Sequence, residues 1–350
     1  MRLRGWAAPA AFALTVLAQP AAAQAFDART YLDEAIAVVR AKALYADRVD
    51  WDRVSAEVHA EGDGAADVFG TYPALVRLVR ALGDHHSFLQ LSDERATAYR
   101  AARGGDFAYP PAPGGSRTAD RSYYGRNDPL ASDRVVRGQR IRTVIVPPFM
   151  GDRGATAAYA GVLHRQLAGG PRPCGYIVDL RGNSGGNQWP MLAGLSMLLG
   201  DGVLGGYTGH EGDENWFTDQ GKAGIVTADG KRHVLVVVAG WVATPGAASA
   251  PVALLIDGGT ASSGEIVGVA FSGRAQTRRF GRATFGVSTA TQGYRLSDGA
   301  NLVLVTDVTR DRTGKVFAEG LDPDVAVKAG PGDPDRAAAE GWVAGQCRSR

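Results

Sequence analysis

Two short apolar runs, Tyr176 to Leu180 and Pro251 to Ile256, each end in a glycine-rich turn, and each turn is followed by residues with helical spacing. A strand that feeds a helix through a tight turn, and does so repeatedly, limits the fold to few architectures. Further β-rich runs fall at Thr143 to Val146, Val234 to Ala239 and Leu302 to Val305, and helical stretches near Ala155 to Leu167, Trp189 to Leu199 and Glu265 to Phe271. Such alternation predicts an α/β domain. Upstream, from Phe26 to about Ala101, the apolar spacing is helical, as in Tyr31, Leu32, Ala35, Ile36 and Val39, and predicts a small helical region. The expected organisation is a leader over 1–25, a helical cap region over 26–102, a Gly/Pro-rich linker over 103–137, a core over 138–332 and a tail over 333–350. The linker reading rests on stretches such as Tyr109-Pro110-Pro111-Ala112-Pro113-Gly114-Gly115.

The leader pairs Arg2 and Arg4 with an apolar run from Trp6 to Leu17 and then small residues, Ala21-Ala22-Ala23-Gln24-Ala25. This is the pattern of a secretory signal peptide, with cleavage expected after Ala23 or Ala25. The apolar run is too short for a membrane span, and no later apolar run is long enough to be one. The protein is therefore expected to be exported, to the periplasm or the medium, without a span in the mature chain. The chain has 38 basic and 36 acidic residues, and loss of Arg2 and Arg4 balances them. A balanced chain lacks the basic stripe that nucleic acid demands. Two cysteines remain, Cys174 and Cys347. Export permits a disulfide between them, which would tie down the tail; two unpaired buried thiols are the other reading. Two cysteines cannot frame a zinc finger.

Three segments carry chemistry. In Thr260-Ala261-Ser262-Ser263-Gly264-Glu265 a serine stands where a strand turns into a helix, and Ser262-x-x-Glu265 reads as a capping box. A serine there serves as a helix N-cap or, given partners, as a nucleophile. The first N–H groups of the helix suit a developing oxyanion. In Asp179-Leu180-Arg181-Gly182-Asn183-Ser184-Gly185-Gly186 the glycines expose backbone N–H groups, or simply make a tight turn. The spacing is neither that of a dinucleotide loop nor of a phosphate loop. In Leu82-Gly83-Asp84-His85-His86-Ser87-Phe88 a helical run ends in paired histidines, and histidine is the usual base for a serine nucleophile. Neighbouring histidines rarely both face one ion, and no metal site is expected.

The order of the Asp-Leu-Arg-Gly-Asn-x-Gly-Gly and Thr-Ala-Ser-x-x-Glu turns resembles the S41 peptidases, the tail-specific or C-terminal-processing protease family. Gly281-x-x-Thr284-Phe285-Gly286, Leu296-x-Asp298-Gly299 and Gly320-Leu321-Asp322-Pro323-Asp324 extend the resemblance from about Leu82 to Val327. It implies a ClpP/crotonase-like core of β-β-α units with an N-terminal helical subdomain over the site. It also implies Ser262 as nucleophile, with the N–H groups of Ser263 and of Gly185 or Gly186 as the oxyanion hole. The chain departs from the processing branch at Val287, where that branch has a general-base lysine, and none of its five lysines lies between Ser262 and Lys315. The PDZ domain that many such proteases carry is also absent.

The tricorn-core-like branch instead draws a histidine from the helical region, which matches His86, and a glutamate close to the later Gly-x-x-Pro-Asp turn, where Glu319 stands. The resemblance thus implies a serine-type endopeptidase acting on polypeptides through Ser262, His86 and Glu319, without cofactor. An inactive S41 fold that binds an apolar ligand or a protein partner is the alternative.

Overall fold

The computed structural model describes residues 26–108 and 128–348. The expected leader over 1–25, with its cleavage site, and most of the expected linker, over 109–127, lie outside them. In chain order the first elements are helices α1 (Ala28–Lys42), α2 (Trp51–Gly62) and α3 (Tyr72–Arg80), strand β1 (Phe88–Gln90) and helix α4 (Asp93–Arg103). Next come β2 (Leu130–Val136), β3 (Gln139–Ile145), α5 (Arg153–Ala168), β4 (Gly175–Asp179) and α6 (Gln188–Leu199). They are followed by β5 (Gly202–Gly209), β6 (Gly212–Asp219), β7 (Lys222–Val226), β8 (Arg232–Val237), β9 (Val252–Ile256) and α7 (Ser263–Phe271). The chain closes with β10 (Thr277–Gly281), β11 (Thr289–Arg295), β12 (Asn301–Asp311), β13 (Val316–Phe317), β14 (Val325–Ala326) and α8 (Pro334–Arg348). The architecture is mixed α/β.

One sheet runs β14-β10-β9-β4-β3-β2 and is parallel except for the β2–β3 hairpin at its edge. Side chains alternate along its strands. Ala253 and Leu255 join Ile177 and Phe280 in a cluster with Val343 and Ala344 of α8, whereas Val252, Leu254 and Ile256 face Leu163 of α5, Leu192 of α6 and Val267 of α7. Both faces are covered, which is why β9 is an unbroken apolar run in the sequence and β4 is apolar up to its last residue, Asp179. Because β4 and β9 are adjacent and parallel, the turns that follow them leave from the same edge of the sheet. That carboxyl edge is where open α/β sheets bind ligands.

The second sheet is antiparallel and runs β1-β12-β5-β6-β7-β8, with β11 and β13 also paired to β12. The helical region is built onto it: β1 pairs with β12 from Phe88↔Val303, and Leu302 and Leu304 pack with Leu32, Leu75 and Leu78 in one apolar cluster. At the tip of the β11–β12 hairpin Asp298 accepts hydrogen bonds from Tyr31 Oη (2.9 Å), Tyr72 Oη (2.8 Å) and Arg95 Nη2 (2.7 Å). One carboxylate thus holds α1, α3 and α4.

Two segments depart from the sequence reading. Residues 130–136, taken there as linker, form the edge strand β2, whose mostly exposed face carries the polar residues that hid it. Residues 334–348, taken as part of a tail, form α8, which covers one face of the parallel sheet. The expected disulfide is present, joining Cys174 before β4 to Cys347 in the last turn of α8. Among the described residues no helix is long and apolar enough to cross a membrane.

Candidate active site

The turns after β4 and β9 lock into each other through the backbone. Ala261 N–H donates to Asn183 O (2.9 Å), Gly182 N–H to Asp257 Oδ1 (3.0 Å) and Thr260 Oγ1 to Leu180 O (2.8 Å). Gly185, at φ 106°, lies so close that a Cβ on it would stand 2.8 Å from Ser262 Cβ and 3.0 Å from Ser263 N. Only glycine fits there. The first turn is also fastened from behind: buried Arg181 donates to Asp179 Oδ2 (2.7 Å) and to Asp333 Oδ1 (2.8 Å), and Asp333 accepts the N–H of Arg336 at the start of α8.

Ser262 has φ 50° and ψ −121°, a conformation that costs a non-glycine residue about 1–3 kcal/mol. Its N–H donates to Glu265 Oε2 at 2.8 Å, which helps to hold that conformation. Glu265 is fully buried and also accepts from Thr284 Oγ1, Gly286 N–H (2.8 Å) and Val287 N–H (3.0 Å). Burial pushes its carboxyl above the usual range, against the opposing pull of those four donors. The sharp strand-to-helix turn presents half-buried Ser262 at the positive end of α7.

Of the expected oxyanion donors, Ser263 N–H and Gly186 N–H have no acceptor among the described residues, while Gly185 N–H is committed to Asn183 Oδ1 at 3.0 Å. Ser263 Oγ donates to Gly186 O, so the two free N–H groups belong to segments in direct contact. Trp189, Met191 and Met197 of α6 belong to the core: Met191 and Met197 are buried and Trp189 packs against the same cluster.

His86 lies on the turn between α3 and β1. Asp84 shapes that turn, its Oδ1 accepting His86 N–H (2.9 Å) and Ser87 N–H (2.7 Å), and Ser87 Oγ accepts Val305 N–H (2.9 Å) from β12. The ring is held by Nδ1 against Thr289 Oγ1 at 2.7 Å. Burial lowers the imidazole pKa, and Asp84 partly offsets it. Among the described residues no hydrogen bond joins His86 to Ser262 or to Glu319. Glu319 is exposed, and it acts with Asp84 in raising the pKa of Tyr45, where burial is the main cause. Val287, in the lysine position of the processing branch, is buried and apolar. Thr289 follows two residues after Val287, at the start of β11, so the serine turn and the histidine ring are held by neighbouring parts of one segment. Among the described residues no three His, Cys, Asp or Glu side chains gather as metal ligands would.

Thr289 and Asp298 were not legible as partners of the helical region. Their contacts span 203 positions to His86 and 267 to Tyr31, with no local pattern to reveal them.

The chain is similar to a nisin-resistance protein of Lactococcus lactis subsp. lactis, 25% identical over 289 residues that cover 81% of this chain and 78% of that protein. Its fold resembles that of a lipoprotein from Streptococcus agalactiae (TM-score 0.64, 21% identity, 95% of this chain and 100% of the other). It also resembles the photosystem II D1 C-terminal processing protease (TM-score 0.54, 16% identity, 87% and 94%). The sequence model of peptidase family S41 matches residues 152–327, half of the chain, and spans both turns, Ser262 and Thr289. The chain belongs to peptidase family S41.

Proposed function

We propose that the chain is an exported serine endopeptidase in which Ser262 attacks the peptide carbonyl and His86 is the general base. The observation that carries this reading is the backbone of Ser262. A non-glycine residue is held at φ 50° beside two unspent N–H groups, those of Ser263 and Gly186, at the N-terminus of α7. Strain retained at a serine on a strand-to-helix turn is how a nucleophile is presented. In the reaction His86 Nε2 takes the Ser262 proton as Oγ bonds to the carbonyl carbon. The oxyanion then lies between the two N–H groups, and the proton passes to the leaving amine. Water repeats the sequence on the acyl-enzyme. The Ser262–His86 hydrogen bond is on this reading one that forms with substrate, as catalytic hydrogen bonds often do. With Val287 in place of a lysine, His86 is the base this reading assigns, and Gly186 is taken over Gly185 as the oxyanion donor because the Gly185 N–H is already bonded to Asn183.

Export is supported by the Cys174–Cys347 bridge, which suits an oxidising compartment. The test compares the protein with Ser262→Ala and His86→Ala on an unfolded protein substrate. Each substitution is expected to lower cleavage by roughly a thousandfold or more. Equal cleavage by all three proteins would favour the second reading, an S41 fold that binds a ligand without catalysis, which the missing Ser262–His86 hydrogen bond supports.

A further inference from the structure

We infer that Thr289, and not a carboxylate, is the positioning residue of the His86 base, fixing the ring tautomer through its hydroxyl. The inference rests on the proposed Ser262–His86 chemistry and adds the group that aims the base. A histidine that accepts a proton on Nε2 must carry its own proton on Nδ1, and that N–H needs an acceptor. His86 Nδ1 finds one in Thr289 Oγ1 at 2.7 Å. Glu319, the carboxylate that the sequence resemblance suggested for this role, is exposed and makes no hydrogen bond to the ring.

Thr289 is well placed to act as a fixed support. It is 5% exposed, it begins β11, and it pairs with Val308 of β12. Ser288 beside it donates to Phe317 O (2.6 Å), and Val287 donates to the same Glu265 that holds Ser262 N–H. The base and the nucleophile are therefore referenced to one rigid segment, 287–289. The charge that acts on the ring is Asp84, on its own turn, two residues before His86. A hydroxyl acceptor leaves an imidazolium without a carboxylate at Nδ1, so the ring is aimed without being made strongly basic.

The experiment uses Thr289→Val, which keeps the shape and removes the acceptor, and Thr289→Ser, which restores it. A fluorophosphonate probe reports the labelling rate at Ser262 as a function of pH, and 15N shifts of the His86 ring report its tautomer in the unreacted protein. Thr289→Val is expected to slow labelling about 10- to 100-fold, to move the acid limb to lower pH and to mix the two tautomers. Thr289→Ser is expected to recover all three. Wild-type labelling at Ser262 together with an unchanged rate, pH profile and tautomer in Thr289→Val would overturn the role of Thr289 alone. A folded wild type that never labels would overturn the serine-peptidase reading and this inference with it.

Discussion

Glu265 does more at the residue scale than cap a helix. Its two oxygens accept four hydrogen bonds, from Ser262, Thr284, Gly286 and Val287, in a position closed to water. Glu265→Gln keeps the shape and turns one accepting oxygen into a donor, which sets an NH2 group against two of those donors. The cost is expected to be about 2–4 kcal/mol, read as a lower urea midpoint, with slower probe labelling of Ser262 as its backbone relaxes. The lowered pKa of His86 gives a second expectation. A base must be neutral, and a depressed pKa keeps the ring neutral as pH falls below the free-histidine value of about 6.5. The acid limb of kcat/KM should therefore lie below that value, and a limb above it would contradict burial as the dominant influence. The same sign makes the folded state lose stability below about pH 6.5, because the unfolded chain takes up the proton first. Ser262, Ser263 and Glu265 were legible in the sequence because their geometry is local. The choice of Gly186 over Gly185 as a free donor was not, since it depends on where the Asn183 amide points.

At the scale of elements, the β11–β12 hairpin links the helical region to the turns that carry Gly186 and Ser262. Thr289 stands at one end of β11 and Asp298 just beyond the other. Asp298→Ala would leave Arg95 and the hydroxyls of Tyr31 and Tyr72 without their shared acceptor. A loss of about 3 kcal/mol is expected by urea unfolding, with earlier proteolytic cutting in α1 to α4 than in the parallel sheet. Element type was legible where one physical cause dominated. The buried strand β9 is an uninterrupted apolar run, β4 is apolar up to Asp179, and α6 and α7 follow glycine turns. It was not legible in β5, Gly202–Gly209, which owes its place to the ladders with β6 and β12 more than to β-forming residues. In α8 the small residues Ala339 and Ala344 fill a shallow gap against the sheet, and no strong apolar stripe marks the helix.

For the whole molecule, α8 is fastened at both ends. Asp333 and Asp335 meet Arg181 at its start, and Cys347 meets Cys174 at its end. Reduction of the bridge, or Cys347→Ser, is expected to lower stability by up to about 5 kcal/mol, since the closed loop is long. Denaturant curves with and without reductant measure it, and coincident curves would show that α8 holds its place by packing and ion pairs alone. The bridge has a further consequence, because its sequence separation of 173 residues makes most of the core a covalent ring. Gly186, Ser262 and Thr289 lie inside that ring, and His86 lies outside it. A single cut anywhere between the two cysteines leaves one connected molecule that keeps Ser262 and the N–H groups of Ser263 and Gly186. One cut between residues 108 and 128 separates the part of the chain that bears His86, the proposed base, from them, and the β1–β12 ladder, the Asp298 hydrogen bonds and packing then keep the halves together.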